Sequence, residues 1–318
     1  MRYLGRFWED QEILNAYTNK KILVTGGGGF IGRNLIDYLS NLPVEIHILQ
    51  PFESNIPNVN AIKADIRNMD QISKAVTDIS PDIIFHLAGQ IPQSPGATPE
   101  SLHEINYKGT INLLESLKSL KYASFVNVCT GQVYGKHNVP FEENFTTNPI
   151  SEYAKSKLLA TEYCQKLADE NGLPHITLRL SNVYGPYQSA NMFIPSLINS
   201  CLQNKVFRMT PGKQKKDSIY VKDIVHAFLK AAICKPAHGH VINIAQGESY
   251  RIIDIAKKIM SLTGTKIKLN RTLPYNDKDV FDYSFNIYKA KKVLAWMPKY
   301  SLDQGLKETI DSMRDKIK

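Results

Sequence analysis

Apolar residues in this chain fall into short unbroken runs that alternate with segments of helical spacing. Ile22-Leu23-Val24 is such a run, and Phe30, Ile31, Leu35, Ile36 and Leu39 then recur at the three- and four-residue intervals of an amphipathic helix. The same change of period repeats. Strands are expected at 44–49, 61–64, 82–86, 124–128 and 175–180, and helices at 66–79, 102–120 and 153–170. Unbroken apolar strands alternating with helices predict an α/β protein with a doubly wound parallel sheet, whose ligands gather at the carboxyl ends of the strands. Near Tyr184 the rhythm breaks at Gly185-Pro186. A helix over 193–202, a turn at Pro211-Gly212 and helices at 252–262 and 301–313 predict a second, smaller C-terminal unit. The division expected is 1–183 for the first domain, with a return to it near 215–246 through the run 241–244, and 184–318 mainly for the second. Residues 1–19 hold Phe7, Trp8, Ile13, Leu14 and Tyr17, enough apolar surface to dock as a short helix.

Between the first strand and the first helix lies Thr25-Gly26-Gly27-Gly28-Gly29-Phe30-Ile31-Gly32. Glycine admits positive φ and lets backbone N–H groups approach an anion, while the following helix turns its positive dipole end to the same place. Gly26, Gly29 and Gly32, with Phe30 and Ile31 opening the helix, therefore predict a site for the pyrophosphate of a nucleotide cofactor.

Composition narrows the choice of partners. A formal charge of +9 would suit a polyanion, but the lysines are dispersed and the densest group, Lys213, Lys215 and Lys216, is short, so no nucleic-acid partner is expected. The four cysteines are far apart and form no Cys-x-x-Cys pair, which argues against a metal site and for a reducing, cytoplasmic setting. No apolar run approaches the ~20 residues of a membrane span, and no membrane partner is expected.

Tyr153 and Lys157 stand four apart on a predicted helix, so their side chains share a face. A neighbouring ammonium favours the phenolate and brings a phenol toward the range of a useful base. Tyr153 is thus a candidate to take a proton from a hydroxyl as hydride leaves the same carbon. Thr130, just beyond the predicted strand 124–128, is the candidate to hydrogen-bond the reacting oxygen.

These stretches, together with Asp65-Ile66, His86-Leu87-Ala88-Gly89, Asn106 with Gly109-Thr110, Val133-Tyr134-Gly135, Asn182-Val183-Tyr184-Gly185-Pro186, Lys216 to Val221 with Asp223, and Leu294 to Pro298, span nearly the whole chain. In that order they resemble the extended short-chain dehydrogenase/reductases of the NAD-dependent epimerase/dehydratase family, which act on nucleotide sugars. The resemblance implies a Rossmann domain with a smaller substrate-binding domain. It makes Tyr153 the acid or base, Lys157 the partner of the nicotinamide ribose and Thr130 the orienting hydroxyl. It places Asp65 and Ile66 near adenine, has Leu87, Ala88, Gly89 and Asn106 line the cofactor, and sets Asn182 and Lys216 at the substrate's diphosphate. It also implies a homodimer paired through helices 102–120 and 153–170, whose Ile111, Leu114, Leu117, Leu158, Leu159 and Leu167 exceed the needs of one buried face.

Three departures qualify the expectation. Where dehydratases of the family follow the threonine with Asp-Glu, this chain has Gly131-Gln132, neither able to move a proton as a carboxyl does. Gln50 stands where members that prefer NAD carry an acidic residue, and Arg271 is the nearest arginine to the segment 273–276, where many members have one on phosphate. The function expected is hydride transfer at C4 of a nucleotide-diphosphate hexose, foremost as a 4-epimerase. A 4-keto-sugar reductase or 4-dehydrogenase would use the same three residues, with a 4,6-dehydratase or a non-catalytic NAD(P)-binding protein ranked below. Gln50 hydrogen-bonds a ribose hydroxyl without charge repulsion, which favours NAD. NADP stays open through Arg33, the one cation next to the last motif glycine.

Overall fold

The computed structural model describes residues 10–276 and 280–315, and the expectation for Phe7 and Trp8 lies outside them. The chain opens with a short helix α1 (Gln11–Tyr17), capped by Asp10, that buries Ile13 and Tyr17. There follow β1 (Lys21–Thr25), α2 (Phe30–Leu39), β2 (Glu45–Gln50), β3 (Asn60–Lys63), α3 (Met69–Ile79) and β4 (Ile83–His86). After α4 (Pro99–His103) and α5 (Gly109–Leu117) come β5 (Ser124–Thr130), α6 (Glu152–Asn171) and β6 (His175–Leu180).

These strands and one later strand build a seven-stranded parallel sheet. From β1 the chain winds outward through β2 to β3; it then returns to pair β4 on the other side of β1 and continues through β5 and β6. Alternate residues of each strand face opposite sides. Ile22 and Val24 of β1 thus join α2 in one core, while Leu23 joins Leu113 and Leu117 of α5 and Ile72 and Val76 of α3 in another. With both faces buried, the inner strands read as largely apolar runs, whereas the edge strand β3 is mostly exposed.

Three elements differ from the sequence reading by more than one residue. Helix α3 begins at Met69 rather than residue 66, because the Asn68 side chain caps the Gln71 N–H and Arg67 is tied back to Asp65. The helix expected over 102–120 starts three residues earlier, on a Thr98 capping box with Pro99 in the first turn, and ends at Leu117. It is also interrupted by a π-turn over Glu104–Lys108. Thr130 is the last residue of β5, not a residue beyond it.

After β6 the chain forms β7 (Asn182–Tyr184), α7 (Phe193–Leu202), β8 (Phe207–Arg208), β9 (Lys215–Tyr220) and α8 (Val221–Ile233). Helix α8 packs back on the first core through Ile224, Val225, Phe228 and Leu229. Strand β10 (Val241–Ile244) then pairs in parallel with β6 as the sheet edge. The rest comprises β11 (Ser249–Arg251), α9 (Ile252–Thr263), β12 (Leu269–Asn270), β13 (Asp282–Tyr283), α10 (Tyr288–Leu294) and α11 (Leu302–Arg314). A small sheet gathers β7, β11 and β13 around β9, and α7, α9 and α11 share a separate core with Tyr184 and Tyr220. Buried Asp217 ties the two regions: it accepts from Ser181 Oγ (2.8 Å), Gln246 N–H (2.9 Å) and Gly247 N–H (2.8 Å). No helix among the described residues is long and apolar enough to cross a membrane.

Candidate active site

The sheet reverses its winding between β1 and β4, and the loops leaving those two strands meet there. Gly26 has φ +70°, and a Cβ on it would stand 2.8 Å from the Ala88 backbone. A Cβ on Gly32 would stand 2.5 Å from the Gly26 carbonyl. The β4 loop is pinned across the gap by Thr25 Oγ1, which accepts from the Ala88 N–H at 3.1 Å. Gly29 opens the ten-residue α2 with no side-chain cap, so the first N–H groups of that helix are left for an anion. A cavity of about 290 Å³ continues from Gly26 and Gly29 past Ala88 and Gly89 to Asp65 and Ile66, with Gln50 and Leu87 also in its wall. Side chains would fill this cradle, and the groups at its far end are apolar or hydrogen-bonding. The residues fit a dinucleotide.

Some candidates reach this cavity and others stand behind it. Asn106, on the π-turn and fully buried, accepts from the Gln90 N–H (2.7 Å) and donates to the Gln90 carbonyl (3.0 Å), so it shapes the loop after Gly89. Phe30 and Ile31 turn their side chains toward the hydrophobic core and contribute backbone to the cradle. Gln50 is more occupied than its sequence position suggested: its Oε1 accepts from the Gly28 N–H at 2.9 Å and its Nε2 donates to the Phe52 carbonyl at 3.2 Å. Arg33 turns to Asp37 (3.6 Å) and lies over the Tyr187 ring (5.6 Å). The cation in the cavity wall is instead Arg67, held by both Asp65 oxygens.

At the other end of the crevice, β5 and α6 bring the candidate reactive groups together. Thr130 ends its strand and caps the 3₁₀ turn Gly131–Tyr134, its Oγ1 accepting from the Gln132 N–H at 3.2 Å. Tyr153, in the first turn of α6, lies near enough to Thr130 for the threonine hydroxyl to favour its ionised form. Lys157 lies one turn further on, 6% exposed. Burial pushes the Tyr153 phenol up, the Cys129 thiol adds to this, and the bond from Thr130 opposes it. Burial likewise pushes the Lys157 ammonium down, against the pull of Cys129 and Cys164. The expected depression of the Tyr153 phenol by Lys157 does not figure among the influences on it; burial dominates instead.

A second cavity, of about 420 Å³, includes Gln132, Ser151, Asn182, Lys216 and Tyr283 in its wall. Asn182 comes from β7 and Lys216 from β9, so the small sheet carries both candidates for the diphosphate to one wall. Lys216 Nζ donates to the Val280 carbonyl at 2.6 Å and lies 5.6 Å from the centre of the Tyr283 ring. Arg271 is turned away, donating to the Pro211 carbonyl at 3.1 and 2.7 Å. Tyr283, whose hydroxyl lies 2.7 Å from where a Gly131 Cβ would be and which walls this cavity, escaped the sequence reading. Its only signal was the Tyr283-Phe285 alternation, too short to set a period. Among the described residues no cluster of metal ligands occurs.

Comparison with known proteins follows this geometry. The model of the NAD dependent epimerase/dehydratase family matches residues 22–245. A putative UDP-glucose 4-epimerase of Methanocaldococcus jannaschii is 30% identical over 306 residues, covering 92% of this chain and 98% of that protein. A human dTDP-D-glucose 4,6-dehydratase is 28% identical, covering 97% and 94% respectively. Among solved structures, the UDP-glucuronic acid 4-epimerase of Bacillus cereus in complex with UDP-glucuronic acid and NAD superposes with a TM-score of 0.83 at 28% identity, over 93% of this chain and 99% of that one.

Proposed function

This chain belongs to the NAD dependent epimerase/dehydratase family, and on that premise we propose that it is a nucleotide-sugar 4-epimerase that uses NAD. One observation carries the choice within the family: Thr130 and Tyr153 lie close together, while the position after the threonine is a glycine with no room for a carboxyl group. The Phe285 ring occupies the place of any Gly131 side chain, and the Tyr283 hydroxyl lies 2.7 Å from where its Cβ would be. Elimination of water needs a titratable group beside the threonine; a 4-epimerase needs only the threonine and tyrosine.

The dinucleotide, when bound, supplies the acceptor and then the donor of hydride. The chain's residues do the rest. The Gly26 to Gly32 cradle and the α2 N-terminus hold the pyrophosphate, Asp65 and Ile66 flank the adenine, and Lys157 fixes the nicotinamide ribose. Asn182 and Lys216 hold the sugar's diphosphate, so that the hexose lies over Thr130. Tyr153 takes the proton of the C4 hydroxyl as C4 is oxidised, and returns it after the 4-keto sugar has presented its other face. In this reading the crevice divides a dinucleotide domain, 1–183 with its return near 215–246, from a substrate domain that is mainly 184–318.

The absence of a carboxylate at Gln50 leaves NAD without a charged ribose partner, and the Gln50 carboxamide keeps one N–H and one lone pair for it. Incubation with UDP-, GDP-, CDP- and dTDP-hexoses tests the reading. Epimerisation at C4 without added cofactor is expected; net consumption of reduced dinucleotide with a 4-keto sugar would replace it with the reductase.

A homodimer in the cytoplasm completes the proposal. Of the apolar residues assigned to pairing, Leu114, Leu117 and Leu167 are spent on the chain's own core, while Ile111 and Leu158 are half-buried and Leu159 is exposed. Light scattering should give twice the 35.9 kDa chain mass; a monomer at micromolar concentration would refute the pairing.

A further inference from the structure

Arg179, on β6, is 5% exposed, and among the described residues no carboxylate forms an ion pair with it. A guanidinium carries five N–H donors. One of them, on Nη1, reaches the Tyr134 hydroxyl at 3.0 Å, and the guanidinium carbon lies 4.9 Å from the centre of the Tyr134 ring. Nε is buried with no hydrogen-bond partner. A buried charge is costly unless it is paired and hydrogen-bonded, and a phenol supplies no opposite charge.

Beside Arg179 is a cavity of about 410 Å³, walled by α6, β10 and α10 through Gln165, Val241 and Lys289. It shares no wall residue with the dinucleotide cavity or with the cavity of Asn182 and Lys216. Lys289 is half-buried and, among the described residues, also has no hydrogen bond or ion pair. Burial pushes its ammonium down; Glu143 opposes this, and the repulsion of Arg179 adds to it. The two carboxylates of the wall are taken up by neutral donors instead. Glu143 Oε1 accepts from the Asn243 N–H at 2.8 Å, and Glu142 Oε1 accepts from Asn286 Nδ2 at 3.1 Å. The second oxygen of each has no partner among the described residues, so the wall combines two unneutralised cations with two free acceptors.

We propose that this cavity is a binding site, separate from the catalytic crevice, for a small hydroxylated anion, whose acid group is held by Arg179 and Lys289 while its hydroxyls donate to Glu142 and Glu143. A sugar phosphate and a sugar acid share that chemistry. The volume lies within the range of about 300–1,000 Å³ typical of small-molecule sites. An anion at the cationic end supplies the counter-charge that Arg179 lacks and ends its repulsion of Lys289. Carboxylates only accept hydrogen bonds, so Glu142 and Glu143 select a body that donates them and disfavour a second acid group.

Titration calorimetry of the NAD-saturated protein with glucose 1-phosphate, glucuronate, inorganic phosphate and glucose is the test. Glucose 1-phosphate or glucuronate should bind, and the tighter of the two identifies the acid group. Glucose should give no binding, and inorganic phosphate should bind at least about tenfold more weakly than the tighter probe. Lys289→Gln should weaken that probe by about tenfold, and Lys289→Arg, which keeps the charge, should restore most of the loss. Lys289 is the residue to change because Arg179 also holds the Tyr134 hydroxyl. Lys216→Gln, in the wall of the catalytic crevice, should leave the affinity unchanged. Absence of saturable binding by both probes overturns the proposal, as does an affinity that Lys289→Gln leaves intact or that Lys216→Gln abolishes. Inorganic phosphate or glucose binding as tightly as the better probe also overturns it, since the site would then not read an acid group and hydroxyls together. Binding is measured without turnover, so failure of the 4-epimerase reading and failure of this site are separate results.

Discussion

The ring of Phe285 fills the space into which a side chain on Gly131 would have to grow. Phe285 follows β13 and Gly131 follows β5, and a bridge between Phe141 and Phe285 holds the two regions together. The identity of residue 131 is therefore set by an aromatic cluster more than 150 positions away, not by its own turn.

Gly131→Asp should accordingly destabilise the fold rather than convert the chemistry. Overpacking of this kind costs about 1–3 kcal/mol, visible as a lower Tm, and no 4-keto-6-deoxy product should form. Phe285→Ala in the same chain should recover part of that loss, since the two sites share one volume. A Gly131→Asp protein as stable as the parent would show that the cluster yields easily.

Removal of the phenol should separate chemistry from binding. Tyr153→Phe is expected to lower kcat by about 10²–10⁴, the range for loss of a general acid–base group, while the denatured variant still releases the same amount of dinucleotide as the parent. Equal loss of bound dinucleotide would mean that the hydroxyl is needed for assembly of the site.

Cofactor retention should respond to Gln50 and not to Arg33. Gln50→Ala frees the Gly28 N–H from its 2.9 Å bond, and a lost buried hydrogen bond of this sort weakens binding by about 0.5–1.5 kcal/mol. Titration calorimetry with NAD should show that loss. Arg33→Ala, whose guanidinium is engaged by Asp37 and Tyr187, should leave the affinity for NAD and for NADP unchanged.

Buried titrating groups should give opposite pH slopes. His175 receives the Tyr122 hydroxyl at Nε2 (2.7 Å) and donates from Nδ1 to the Cys164 carbonyl (3.2 Å), a neutral tautomer assigned from its partners. Burial lowers it to about 4. A depressed folded value means that its contribution is whole above the unfolded pKa of about 6.5 and is lost as pH falls toward 4, about 3 kcal/mol in all. Asp217 is raised by burial to about 7, so its contribution is present below the unfolded carboxyl pKa and lost as pH rises through 7. Denaturation between pH 4 and 8 should show the parent losing its advantage over His175→Gln toward acid, and over Asp217→Asn toward alkali. Parallel curves in either comparison would contradict the burial of that group.

What the sequence determined by itself was everything written in local period and local backbone demand. The central parallel strands are buried on both faces and read as largely apolar runs, which made them legible, including the return at 241–244. The Gly26 to Gly32 turn was legible because close backbone approach there tolerates only glycine. Tyr153 and Lys157 were legible because helical spacing alone puts them on one face.

Tertiary structure decided what depends on distant segments meeting. Helix α8 carries apolar residues at helical spacing and was open to reading, but its place against β5 and α2 was not. Tyr283 comes beside Gly131 from a two-residue strand that carries no period of its own. Gln50 was read as a ribose partner, yet the nearest donor to its carboxamide oxygen is a backbone N–H 22 residues back. Desolvation, which dominates at the Tyr153 phenol, is a property of the packed surroundings, and no spacing of residues along the chain encodes how much water they exclude.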